Sequence, residues 1–258
     1  MRVAVAGGTG TIGQKVVDAL RSAGHEVRVL ARSTGVDLVT GAGLTDSLES
    51  VAVVVDVVSA PVAGRRKSVA FFEKTTTNLL AAERAANVTH HLALSIVGVD
   101  RVDLGYYLGK RKQEELIRRA DVPWTILRST QFHEFAAQLT DRFRSPVLPV
   151  PVMTTQPVAA REVAAALVEL ALGRPSGMAS ELAGPDVAHL PDLVRRLLQA
   201  EGSHRLVVPV RLPGRTGRAM AAGGLLPAEG SRRGTQTWSA WLAETRPDAP
   251  SALPSEPT

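Results

Sequence analysis

The stretch Gly7-Gly-Thr-Gly10-Thr-Ile-Gly13 joins an apolar pentad, Arg2-Val-Ala-Val-Ala6, to a segment, Thr11–Ala23, whose Ile12, Val16, Val17 and Leu20 fall on one helical face. A strand that turns through spaced glycines straight into a helix leaves a chain few architectures. Gly7 permits the sharp turn, Gly10 lets a pyrophosphate approach the backbone, and Gly13 lets the helix lie close on the sheet. The first amides of a helix have no intrahelical acceptor and carry partial positive charge, so this corner suits phosphate. The expected dinucleotide contacts are therefore Gly7, Thr9, Gly10, Thr11, Ile12 and Gly13. A nucleotide loop of the Gly-Lys-Ser/Thr type is excluded, because that ending is missing.

Beyond the loop, strand and helix patterns alternate, as in a parallel sheet covered on both faces. Glu26–Ala31 reads as the second strand, Val36–Val39 as a short third, and the continuous apolar run Ala52–Val58 as a strand buried on both sides. A long helix over Lys67–Asn87 precedes a strand at Thr89–Ser95, and a helix from Tyr106 to Ala120 precedes another at Trp124–Arg128. With right-handed crossovers these six strands give the doubly wound α/β order 3-2-1-4-5-6, the Rossmann arrangement. Prolines 146, 149, 151 and 157 then break the rhythm, before helices at Arg161–Leu172, Leu190–Glu201 and Trp238–Thr245. The expected organisation is a dinucleotide-binding domain over 1–150, a small substrate-side lobe over 151–245, and a disordered tail over 246–258.

The chain has 258 residues and no cysteine, which excludes disulfides, thiolate catalysis and cysteine-built metal centres. No His or carboxylate spacing suggests a metal; the pair His90-His91 is too close to share one. The formal charge is +5, with one lopsided stretch between Arg205 and Arg233. No aromatic residues alternate with those arginines, so nucleic acid is not an expected partner. No apolar run reaches spanning length and no signal peptide is visible, so a cytoplasmic protein is expected.

The end of the second strand selects the cofactor. An acid there would bind the adenosine ribose hydroxyl of NAD, but the chain reads Val29-Leu-Ala-Arg32-Ser33-Thr34. Arg32 can pair with a 2′-phosphate, and Ser33 and Thr34 can donate to its oxygens, so NADPH is the expected cofactor.

The glycine loop, His90-His-Leu-Ala-Leu-Ser95-Ile-Val-Gly, the segment Tyr106–Leu116 and Val122-Pro-Trp-Thr-Ile-Leu-Arg128 together resemble the atypical short-chain dehydrogenase/reductases, most closely the NmrA-like NAD(P)H-binding group. The resemblance runs from residue 1 to about 200. It implies a monomeric or weakly dimeric Rossmann enzyme acting on a small molecule, or in some members a cofactor sensor without turnover. Tyr106-Tyr-Leu-Gly-Lys110 is a Y-x-x-x-K match, and residues four apart share a helical face. Lys110 is therefore expected beside the Tyr106 phenol, lowering its pKa toward neutrality. The resemblance makes Tyr106 the proton donor to a carbonyl, gives Lys110 the nicotinamide ribose as well, and places Ser95 on the substrate carbonyl. Ile96 stands where a second hydroxyl residue often follows, which weakens the case for Ser95. Ser59, just past the fourth strand, joins the cofactor contacts. Tyr107, Thr130, Gln131 and Phe132 are expected to line the substrate pocket, with His133 nearby and more often structural in such a loop.

The function so implied is NADPH-dependent reduction of a ketone or quinone. The alternatives are an NADP(H)-binding redox sensor acting through a protein partner, against which the intact Y-x-x-x-K speaks, and a nucleotide-sugar epimerase, for which the lobe is small.

Overall fold

The computed structural model describes residues 1–59, 64–143 and 145–246. It opens with β1 (Arg2–Ala6), α1 (Thr11–Ser22) and β2 (Glu26–Leu30), followed by α2 (Leu44–Ser47), β3 (Val53–Asp56) and α3 (Arg65–Ala85). Then come β4 (His90–Ile96), α4 (Gly105–Arg118) and β5 (Trp124–Ser129). These strands pair in parallel in the order β2-β1-β3-β4-β5. The chain is thus an α/β fold with a central parallel sheet flanked by helices.

Strand side chains alternate between faces, and the cores follow that period. Val3, Val5, Val55 and Leu92 meet Val16 and Leu20 of α1 and Val163 and Leu167 of α6 (Ala160–Leu172). On the opposite face, Ala4 and Val54 meet Leu44, Leu48 and Leu79, while Ala93 and Ile126 meet Ile117 of α4.

The expected strand at Val36–Val39 does not form, so the sheet ends at β2 and lacks the outermost strand of the 3-2-1-4-5-6 order. Asp37 folds the segment into a loop instead. Its Oδ1 accepts from the amides of Val39 (2.8 Å) and Thr40 (3.4 Å), and its own amide donates to Ala42 O. Asn78 Nδ2 of α3 donates to the carbonyls of Leu38 and Val39 at 3.0 and 2.9 Å. The backbone groups that a ladder would need are satisfied locally and by a neighbouring helix.

The later chain extends the sheet at the other edge and builds a second core. Its remaining helices are α5 (Glu134–Arg142), α7 (Leu190–Ala200), α8 (Gly214–Ala221) and α9 (Trp238–Thr245). Its strands are β6 (Val147–Pro151), β7 (Thr154–Thr155), β8 (Gly177–Met178), β9 (Leu182–Ala183), β10 (Ala188–His189), β11 (Leu206–Val210) and β12 (Arg232–Arg233). β8 and β9 both pair with β5, and β12 pairs with β9, whereas β7 and β10 form a small antiparallel pair. The second core joins Val99, Val102 and Tyr107 to Leu148, Leu197, Trp238 and Trp241, residues spread over most of the chain.

β6 and β11 form a separate parallel pair in which Leu206 lies opposite Val147 and Val210 opposite Pro151. Leu206 N donates to Pro146 O and Val152 N to Val210 O, so the even-numbered residues of both strands face the ladder. Pro149, Pro151 and Pro209 occupy odd positions, where a missing N–H costs the pair nothing. Leu148, Val150 and Val207 turn inward, while Val147, Leu206, Val208 and Val210 are exposed.

The C-terminal segment is tied down by Glu162 of α6. Its Oε1 accepts from Thr235 N (2.6 Å), Thr235 Oγ1 (2.9 Å) and Gln236 N (3.2 Å). The tail expected from residue 246 lies, after Arg246, outside the described residues. Partial burial acts to raise the Glu162 pKa, but these donors hold it below the usual carboxylate range. Its stabilising effect is therefore complete above the unfolded pKa of about 4.3 and is lost as pH falls through the lower folded value. Glu162→Ala should cost about 1–3 kcal/mol at neutral pH, with the deficit narrowing near pH 3; thermal melts of both proteins at the two pH values measure it.

Candidate active site

β1 ends at Ala6, and the chain turns through Gly7, whose φ of +79° lies in the left-handed region that disfavours side chains. Gly10 N donates to Gly7 O at 3.0 Å, closing the loop, and α1 starts at Thr11 with no side-chain cap on its N-terminus. A Cβ on Gly13 would overlap the Gly7 carbonyl oxygen, so only glycine lets α1 begin this close to the strand. Thr9, Gly10 and Thr11 are exposed, while Ile12 is buried and anchors the helix in the core. Two glutamines missed in the sequence brace this corner: Gln14 Nε2 donates to Thr9 O at 3.1 Å, and Gln138 of α5 reaches Thr11 Oγ1 at 3.4 Å. The uncapped amides and the glycine cradle fit a dinucleotide pyrophosphate.

Past β2, Arg32, Ser33 and Thr34 form an exposed single turn of 3₁₀ helix with no acid among them. Arg32 has no side-chain partner among the described residues and is free for an anion. Thr34 is not: its Oγ1 accepts from Ala31 N (3.1 Å) and lies 2.7 Å from Val29 O and 2.8 Å from Ala31 O, so its hydroxyl shapes the turn.

Tyr106 stands in the first turn of α4. A Cβ on Gly109 would collide with Ser68 and Phe72, so this glycine lets α3 and α4 pack closely. Phe72 meets the Tyr106 ring edge-on, with centroids 5.6 Å apart. The Tyr106 hydroxyl lies 3.0 Å from Ser59 Oγ. The backbone of Val57 and Val58, just before Ser59, closes over Gly7, so the hydroxyl pair stands beside the phosphate loop.

Lys110 departs from expectation. Its ammonium is buried and donates to Val58 O (3.1 Å), Leu94 O (2.9 Å) and Gln113 Oε1 (2.9 Å), which engages all three of its hydrogens. It forms no bond to Tyr106, and any ribose contact must displace one of these acceptors. Gln113 Nε2 in turn donates to the buried Asp56 Oδ2 at 2.7 Å. Asp56 and Gln113 are supporting residues absent from the motif; Asp56 stands out as one acid in the apolar run Ala52–Val58, whereas Gln113 is unmarked among the charged residues of its helix.

The expected cation effect on the phenol is overturned as well. Burial pushes the Tyr106 pKa up; the Ser59 hydrogen bond opposes that rise and the Asp56 charge adds to it. Burial moves Tyr107 up to about 12, against a hydrogen bond from Gln131.

Ser95 lies on the same helix-facing side of the sheet but in another network. Its hydroxyl donates to Glu114 Oε1 at 2.6 Å, and Arg128 grips Glu114 through two bonds of 2.8 Å each. Asp100 holds the same arginine from a third side at 3.1 Å. Of the expected pocket residues, Gln131 Nε2 donates to the Tyr107 hydroxyl at 3.2 Å and Gln131 Oε1 accepts from Thr155 at 2.5 Å, next to half-buried Phe132. Thr130 is buried and donates to Gln156 O at 2.6 Å, so it is a structural residue. His133 is also internal: Nε2 donates to Gln236 O at 3.1 Å, and Trp238 and Trp241 pack on its ring. His91 pairs with Glu83 at 2.8 Å in the interior, and His90 bonds Thr125, so neither histidine reaches the groove.

An open parallel sheet with a glycine loop at its carboxyl edge and an uncapped helix behind that loop defines a dinucleotide-binding α/β protein. A family model described as NAD(P)H-binding matches residues 7–173, and the chain belongs to this family. No curated protein sequence matches the chain. Among solved structures, it is similar to an NADPH-dependent quinone oxidoreductase of Escherichia coli complexed with NADPH, at 19% identity and TM-score 0.69 over 94% of this chain and 99% of that one. A triphenylmethane reductase of Citrobacter sp. complexed with NADP(H) gives 17% identity and TM-score 0.71 over 95% and 100%. The UDP-glucose 4-epimerase of Thermus thermophilus, in complex with NAD, gives 19% and 0.66 over 95% and 93%. At these identities the likeness is one of fold. Among the described residues, no helix is long and apolar enough to cross a membrane.

Burial lowers the Lys110 pKa to about 8, against the pull of Asp56 and Glu114. Between that value and the unfolded value of about 10.4, the unfolded chain holds a proton that the folded chain has released. Stability from this residue therefore rises with pH across the window. Melting curves at pH 8 and pH 10 should show wild type gaining on Lys110→Met; parallel curves would mean that the ammonium keeps its ordinary pKa in the fold.

Proposed function

We propose that this chain is an NADPH-dependent oxidoreductase that reduces the carbonyl of a small ketone or quinone. The observation that carries this reading is the Tyr106 hydroxyl, half-buried and held by Ser59 beside a loop built for a pyrophosphate. The loop amides from Thr9 to Gly13 would hold the pyrophosphate, and Arg32 with Ser33 the 2′-phosphate. When bound, NADPH supplies a hydride to the carbonyl carbon. Tyr106 donates its proton to the carbonyl oxygen, a transfer for which a neutral phenol at working pH is the correct starting state. Its raised pKa keeps it protonated for that role. Lys110 holds the ends of β3 and β4 in register beneath the site through its bonds to Val58 and Leu94. Tyr107, hydrogen-bonded to Gln131, and the neighbouring Phe132 would offer aromatic and amide surface to a flat substrate. One protein of similar fold is named a quinone oxidoreductase, which supports the substrate class.

A second reading, an NADP(H)-responsive regulator without turnover, is favoured by one observation: the Lys110 ammonium has no hydrogen left for a ribose. NADPH oxidation across a panel of ketones and quinones separates the two. Tyr106→Phe should keep its NADPH affinity and lose on the order of a hundredfold in turnover. A variant with undiminished turnover would remove Tyr106 from the mechanism. Cofactor choice has its own test. Arg32→Ala should weaken NADPH binding about tenfold, the scale of an exposed charge-assisted pair, and leave NADH nearly unchanged in calorimetric titration.

A further inference from the structure

The hydroxyl that the Ser-Tyr-Lys pattern assigns to Ser95 is engaged elsewhere. Ser95 is 2% exposed, gives its hydrogen to Glu114, and belongs to the carboxylate–guanidinium network that fastens α4 to β5. Nothing in that network touches the tyrosine. The serine that does touch it comes from another strand: Ser59, just past the end of β3, with Oγ 3.0 Å from the Tyr106 hydroxyl. Ser59 is exposed and Tyr106 is half-buried, so the two hydroxyls run from the pocket wall to solvent.

We propose that Ser59 is the positioning residue of Tyr106, orienting the phenol and returning its proton from solvent, and that Ser95 belongs to the frame that holds α4. The inference rests on Tyr106 being the proton donor. When the Tyr106 O–H bond breaks and its proton passes to the substrate oxygen, a phenolate remains. Ser59 then gives its hydroxyl proton to that oxygen and takes one from a water molecule. Both side chains return to their starting state, and each turnover draws one proton from solvent. No electron moves in this step.

Among the described residues, Ser59 is the side chain that hydrogen-bonds the Tyr106 hydroxyl. Phe72 of α3 and Tyr107 of α4 present rings to Tyr106, with centroids 5.6 and 6.4 Å away. Asp56 of β3 opposes ionisation of the phenol, as does burial, and the Lys110 hydrogens are engaged with Val58, Leu94 and Gln113. Among these influences on Tyr106, the Ser59 hydrogen bond is the one that favours the phenolate.

The chain has two tyrosines, which makes the experiment direct. Replacing both with 3,5-difluorotyrosine lowers phenol ionisation into a range where the fold persists. The two ring environments then titrate as separate fluorine NMR signals, assigned with Tyr107→Phe. Ser59→Ala should raise the Tyr106 midpoint by about one pH unit, the usual scale for losing one hydrogen bond to the charged form. Ser59→Thr, which keeps the hydroxyl, should restore it, and Ser95→Ala should leave it in place. An unmoved midpoint in Ser59→Ala, or an equal shift in Ser95→Ala, overturns the assignment. The measurement needs neither substrate nor cofactor, so a failure to find reductase activity is a separate result.

Discussion

A buried ammonium needs acceptors for every hydrogen, and the way Lys110 meets that demand sets the geometry of the whole site. Its three acceptors lie past β3, on β4 and one turn along α4, so a single charge fastens two strand ends to one helix. Losing any one of these acceptors would leave an N–H of a buried ammonium unpaired, which is costlier than losing an exposed contact. The first turn of α4 cannot drift from the sheet while this holds, and Tyr106 sits in that turn. Gly109 works in the same direction, because it allows α3 to press Phe72 against both Tyr106 and the Lys110 side chain, whose Nζ lies 5.0 Å from the Phe72 ring centre.

The two ends of the dinucleotide groove are built on different physics. At the phosphate end the backbone does the work, through a left-handed glycine, a close helix approach and unpaired amides, none of which needs a particular side chain. At the chemical end everything depends on side-chain hydroxyls, amides and one cation arranged by packing. The phosphate end therefore tolerates little change in residue size, and the chemical end little change in polarity.

That division explains what the sequence reveals. The glycine loop, β1, β2 and helices α1, α4, α6 and α9 are legible because their signals are local: glycine spacing, apolar periodicity and helix stops. Y-x-x-x-K is legible for the same reason, yet its spacing says only that two side chains share a helical face. Whether they touch depends on what else Lys110 meets, and Val58 and Leu94 approach it across 52 and 16 residues of chain. Ser59 and Tyr106 meet across 47 residues, so choosing between Ser59 and Ser95 required the fold. The missing strand at Val36–Val39 is the reverse case: a locally plausible apolar run that Asp37 and Asn78 turn into a loop. β6 and β11 stayed hidden because their prolines read as breakers until the ladder shows that the odd positions need no amide.

Those prolines have a consequence for the life of the protein in a crowded solution. A two-stranded parallel ribbon with an apolar outer face is the kind of surface on which other chains nucleate β-structure. Extension requires outward-pointing amides, and Pro149 and Pro151 on one strand and Pro209 on the other remove donors from the two free margins. Val147, Leu206, Val208 and Val210 can stay exposed without seeding aggregation, because a strand arriving at either side finds too few hydrogen bonds to complete a ladder.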